Sequence, residues 1–129
     1  MRDEMLPAYM LRQLYAKGSL RNVKEGDKVV GFAFSLKNKL GSATLKGEVT
    51  IAVDGQAMPS ESVTIKKGEL TMKVSDIAST PTKFTVGDVL DVMVGKDGGL
   101  APGSHKVGMK FSIVEFGKAQ FDFSDTVTA

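Results

Sequence analysis

Apolar residues recur at every second position along this chain, in short runs closed by glycine-containing turns. Val30, Phe32, Phe34 and Leu36 fall on one face of such a run, as do Val49, Ile51 and Val53 in another. Leu70, Met72 and Val74 alternate with Thr71 and Lys73, and Phe121 and Phe123 oppose Gln120, Asp122 and Ser124. No amphipathic helix of ordinary length, roughly 11 residues, fits anywhere. About eight short strands are expected, which points to an all-β fold: a single antiparallel β-sandwich of immunoglobulin-like architecture, with a small β-barrel as the alternative.

The strands are expected over 11–20 with a continuation to Lys24, then at 29–36, 48–53, 63–65, 70–74, 89–94, 105–114 and roughly 119–127. Glu25-Gly26-Asp27-Lys28 reads as a hairpin turn, and Asp54-Gly55 as a tight-turn dipeptide. Residues 37–47 read as a loop, and Ser75–Ala78 as one helical turn cut off by Thr80-Pro81. The longest stretch that cannot be regular structure is Gly98-Gly99-Leu100-Ala101-Pro102-Gly103-Ser104-His105. Glycine tolerates positive φ and proline holds φ near −65°, so Pro102-Gly103 suits the centre of a turn that carries two strands around a sheet end.

With 129 residues the chain is read as one domain, 11–129, preceded by an N-terminal arm, 1–10. Tyr9 and Met10 place large apolar groups in that arm, against the sheet or against a partner. The 17 basic and 15 acidic residues nearly cancel and form no basic stripe, which argues against nucleic acid. No apolar run reaches the length of a secretory signal or a membrane span, so a cytoplasmic location is expected. The absence of cysteine excludes disulfides, thiolate zinc sites and cysteine nucleophiles.

Catalytic material is sparse. His105 is the only histidine, and a lone histidine rarely makes a metal site. The ordinary expectation is that its imidazole bonds a turn carbonyl or packs on a neighbour. A general-base role stays open if a second chain brings substrate to it. No Gly-x-Ser-x-Gly elbow surrounds any serine, Gly95–Gly99 lacks the Walker spacing, and Asp88 and Asp91 read as parts of a solvated face. Nine aromatic residues without tryptophan supply a carbohydrate-stacking platform poorly.

Two segments together resemble a known family. One is Leu6-Pro7-Ala8-Tyr9-Met10, followed by Gly18–Val23 and Val30–Phe34; the other holds Phe84, Gly87, Val92, Val94, Lys96 and Gly98–Val107. In order and spacing they resemble the small (β) subunit of bacterial C-glycoside deglycosidases. The chain departs from that pattern in 37–45 and in its C-terminal third. The resemblance implies an accessory, cleft-completing subunit of a carbon–carbon lyase acting on 3-oxo-C-glycosides such as flavonoid glycosides. Its partner would be a larger TIM-barrel, sugar-isomerase-like subunit carrying a divalent metal (Mn or Mg) and the main acid–base groups, with no cofactor in this chain. Gly99, Leu100, Pro102, His105, Tyr9 and Met10 are then the candidates for partner or substrate-cleft contact. The alternative is a stand-alone or homo-oligomeric β-sandwich interaction domain without catalysis.

Overall fold

The alternating runs form two antiparallel sheets in a computed structural model that describes residues 8–115 and 117–128. One sheet holds β1 (Arg21–Glu25), β2 (Lys28–Lys37), β5 (Val63–Lys67), β6 (Leu70–Lys73) and β8 (Val89–Gly95), in the order β1-β2-β8-β5-β6. The other holds β3 (Ala43–Val53), β4 (Gln56–Ala57), β9 (Gly103–Ile113) and β10 (Gly117–Val127), in the order β10-β9-β3-β4. β7 (Thr82–Phe84) pairs with β3 beside that path. Two separate hydrogen-bonded paths make a sandwich rather than a closed barrel.

The period-two faces meet between the sheets. Phe32, Phe34 and Leu36 of β2, with Leu90, Val92 and Val94 of β8, face Leu45, Ile51 and Val53 of β3, Val107, Met109 and Phe111 of β9, and Phe121 and Phe123 of β10. An aromatic chain crosses this core. Tyr15 stacks on Phe123 with centroids 3.6 Å apart, and Phe34 meets Phe123 edge-on at 5.2 Å.

Several boundaries differ from the sequence expectation, each for a physical reason. The strand expected over 11–20 is instead a short helix, α1 (Ala8–Leu11), a 3-10 turn (Arg12–Leu14) and a loop. Leu11 and Leu14 are both buried, three residues apart, and a strand would send them to opposite faces. Met5–Pro7 of the expected arm lie outside the described residues. The loop expected over 37–47 ends early, because β3 starts at Ala43. Gly47, at φ +87°, lies where the β3–β9 register shifts between Lys46 and Thr50, and this bulge breaks the alternation that would have marked the strand. Val74 belongs not to β6 but to a second helix, α2 (Val74–Ser79), where it is buried and where Thr80-Pro81 ends the element as expected.

The segment after α1 also protects strand edges. Arg12 Nε donates to the Asp122 carbonyl on β10 at 2.8 Å, Ala16 N–H donates to the Ser35 carbonyl on β2 at 2.9 Å, and Tyr15 forms a bridge to Leu36. Residues 12–16 therefore run from the edge of one sheet to a strand of the other, across a side of the sandwich that unpaired backbone groups would otherwise leave open.

The stretch Gly98–His105 joins β8 to β9, so it crosses from one sheet to the other instead of rounding the end of a single sheet. Its tight turn is not at Pro102-Gly103. Gly99 N–H closes on the Lys96 carbonyl at 2.8 Å around Asp97-Gly98, and Gly103 already opens β9. Proline lacks a donor, and Gly103 at φ +125° continues directly into paired strand.

Candidate functional site

The residues singled out from sequence do not gather in one place. Within the second sheet, Leu45 pairs with Ile113 at one end and Val53 with Val107 at the other. His105 lies beyond the Val107 end, whereas Met10 lines an apolar cavity with Leu45 and Ile113 at the opposite end. Tyr9, next to Met10, is 70% exposed.

At the His105 end the glycine-rich arch is held by one side chain. Asn22 donates to the Leu100 carbonyl at 2.9 Å and accepts the Leu100 N–H at 2.8 Å, which seats Leu100 in the core. Gly99 is buried at φ +61°, and a Cβ there would run into the Asn22 side chain and Val29. Gly99 and Leu100 are thus occupied by the chain's own packing, while Pro102 is exposed. Lys106 pairs with Asp122 at 3.6 Å on the outer face.

His105 is held between two acceptors. Its Nδ1 lies 2.7 Å from Asp54 Oδ2 and its Nε2 lies 2.6 Å from the Ala101 carbonyl oxygen. A neutral imidazole donates once, so only the imidazolium satisfies both contacts. Asp54 also accepts the Lys106 N–H at 2.9 Å. The Asp54 hydrogen bond, then the Ala101 carbonyl, raise the His105 pKa against desolvation and the repulsion of Lys96. The same His105 bond, then the Lys106 N–H, lower that of Asp54. While protonated, the ring has no lone pair for a metal or a substrate proton.

This pair gives stability a definite pH dependence. A histidine whose folded pKa is raised contributes fully below its ordinary value of 6.5, and the contribution is lost as pH rises through the raised value. The lowered Asp54 contributes above its ordinary 3.8 and loses its effect as pH falls through the lowered value. The urea midpoint is therefore expected to fall as pH is raised above the ordinary histidine value. His105→Gln should remove that slope; an unchanged slope in the variant would assign it elsewhere.

A second polar cluster is also internally committed. The Tyr15 hydroxyl donates to Asp125 Oδ2 at 2.6 Å and accepts the Leu20 N–H at 3.1 Å. Burial and then the Asp125 carboxylate push the Tyr15 pKa up to about 12, so the phenol stays protonated. The same carboxylate takes the Gly18 N–H at 2.8 Å. Asp88 and Asp91, expected on a solvated face, are partly engaged as well. Asp88 accepts the N–H and the hydroxyl of Thr85, each at 2.8 Å, and Asp91 accepts the Ser35 hydroxyl at 2.6 Å.

The apolar cavity, of about 150 Å³, is walled by Leu14, Leu45, Phe84, Phe111 and Ile113 among others. Among the described residues its one polar side chain is Asn38, which is 2% exposed. The Asn38 amide donates to the Gly41 and Phe84 carbonyls at 2.8 Å each and accepts the Leu40 and Gly41 N–H groups at 3.1 and 3.2 Å. The Asn38 amide has no polar capacity left to offer the space.

Sequence reasoning singled out His105 without Asp54, and passed over Tyr15, Asp125 and Asn38. Asp54 is 51 positions from His105, and Asp125 is 110 from Tyr15. Only the tertiary fold brings such pairs together, so no local pattern could have revealed them. Among the described residues no group of three or more His, Asp or Glu side chains is placed to hold a metal, and Tyr9 is the only exposed aromatic ring. No helix among them is long and apolar enough to cross a membrane.

The family model described as hydroxymethylglutaryl-CoA reductase, N-terminal domain, matches residues 10–128. No curated protein matches the chain. The family match overturns the resemblance to the C-glycoside deglycosidase β subunit, and with it the lyase function, the flavonoid-glycoside substrates and the TIM-barrel, sugar-isomerase-like partner. The expectation of a manganese or magnesium ion on that partner loses its premise. The structure supplies the reason the motif misled. Gly98, Gly99 and Gly103 sit at φ +81°, +61° and +125°, so the arch demands glycine for backbone reasons. Leu100 is required as a core plug. A sheet-crossing arch can impose such a pattern whatever chemistry its protein serves.

Proposed function

Because this chain belongs to the hydroxymethylglutaryl-CoA reductase N-terminal domain family, we propose that it serves a reductase as a β-sandwich binding and supporting module, with no bond-making step of its own. One observation carries this reading. Among the described residues, the histidine and the polar groups set into the core are spent on the chain itself: both nitrogens of His105, the Tyr15 hydroxyl and the Asn38 amide are all satisfied internally. A general base or a hydride-transfer site needs such groups presented to a substrate.

The purified chain, supplied with hydroxymethylglutaryl-CoA and NADH or NADPH, is expected to show no turnover. Mixed with a separately purified reductase catalytic domain, it is expected to form a complex visible by light scattering. Turnover by the chain alone, or failure to associate, would sink the reading. Self-association is the second reading, favoured by the exposed Leu70 on edge strand β6 and by Val89 and Met93 on β8. A homo-oligomer in the same scattering experiment would support it.

A further inference from the structure

We propose that the cavity at the Leu45–Ile113 end of the sandwich is a binding site for a small uncharged hydrocarbon group, either one benzene-sized ring or a branched alkyl group of similar volume. The space measures about 150 Å³, the volume at which an apolar protein cavity admits benzene, and it opens to solvent at its rim. Leu14, Leu45, Phe84, Phe111 and Ile113 present only carbon to it. A water there would need two to four polar partners, and Asn38 has its amide committed to Gly41, Leu40 and Phe84. Inside the space, a guest's hydroxyl or charge would find no free side-chain partner among the described lining residues.

The space has an identifiable origin in the sequence. Ala43 faces inward on β3 at the position where the same strand otherwise places Leu45, Ile51 and Val53, and Gly41 precedes it. Two small residues thus leave unfilled what the rest of the strand fills. At the rim, Met10 is 36% exposed and Leu40 is half-buried. An unbranched methionine can turn aside to admit a guest. The site lies at the opposite end of the second sheet from His105 and does not depend on the reductase reading.

The test uses the full chain with methyl groups labelled for NMR, titrated with benzene. Saturable shifts are expected for Leu14, Leu45 and Ile113, with none for Val53 at the far end. Ala43→Leu should fill the space and abolish the saturable shifts while circular dichroism shows the fold retained. Ala43→Val, a milder change, should weaken binding by about threefold or more and serves if the leucine variant does not fold. Phenol, nearly the same size but carrying a hydroxyl, should bind about tenfold more weakly. The proposal is overturned if wild-type shifts do not saturate, if they spread equally to Val53, if both alanine-43 variants bind benzene like wild type, or if phenol binds as well as benzene.

Discussion

Gly31→Ala is expected to destabilise the protein by about 3 kcal/mol or more and to lower its melting temperature by about 10 °C. Gly31 sits in β2 opposite Gly95 of β8, with β1 on its other side. A Cβ at this position would overlap the backbone carbonyl oxygen of Val94 in β8. That obstacle is not the end of a flexible side chain. Relief requires β2 and β8 to part, which breaks the ladder where Phe32 pairs with Val94 at the centre of the sheet. The requirement is spatial, since Gly31 is not in the left-handed region. Gly108→Ala is the matched control: its Cβ would meet nothing within 4 Å, so its effect should stay within about 0.5 kcal/mol. Equilibrium urea unfolding of both variants measures the difference. Similar midpoints for the two would refute the argument.

The second large effect is expected at Phe34→Ala, with a loss of about 3–5 kcal/mol. Phe34 has no exposed surface and joins the sheets through its edge-on contact with Phe123 and a tilted contact with Tyr15, 6.4 Å between centroids. Truncation removes the burial of the ring and leaves a cavity that three elements border. It also loosens the base on which Tyr15 stacks, so the near-ultraviolet dichroism of tyrosine should weaken along with stability. Phe34→Leu keeps most of the volume and should cost less than half as much. A loss below about 1 kcal/mol for the alanine variant would show that the aromatic chain is not what joins the layers.

The glycine-rich arch shows how readily sequence can be over-read. Its glycines, its proline and its single histidine form a distinctive string, and they supported a resemblance that the family match overturns. Each feature answers to backbone geometry: three positive φ angles, one buried leucine tied by Asn22, and a histidine clamped between Asp54 and a carbonyl. The alternating faces of β2, β3 and β9 were legible because each depends only on neighbours two positions apart. The helix α1 and the start of β3 were not. In α1 the decisive fact is that Leu11 and Leu14 share one burial site, and in β3 it is that Gly47 sits in a bulge against β9.

Local pattern alone determined that this chain is all-β and antiparallel, where its hairpin between β1 and β2 turns, and which residues of β2, β9 and β10 form the core; that the sheets make a sandwich and not a barrel was decided by their two separate paths. The locally determined properties follow from side-chain alternation and from the φ preferences of glycine and proline, which act within a few residues. Tertiary structure alone decided that the arch crosses between sheets, that His105 meets Asp54 across 51 positions, and that Ala43 opens a cavity with Phe84 and Phe111. These depend on which strands become neighbours and in what register, and that choice is set by the packing of two whole sheets against each other.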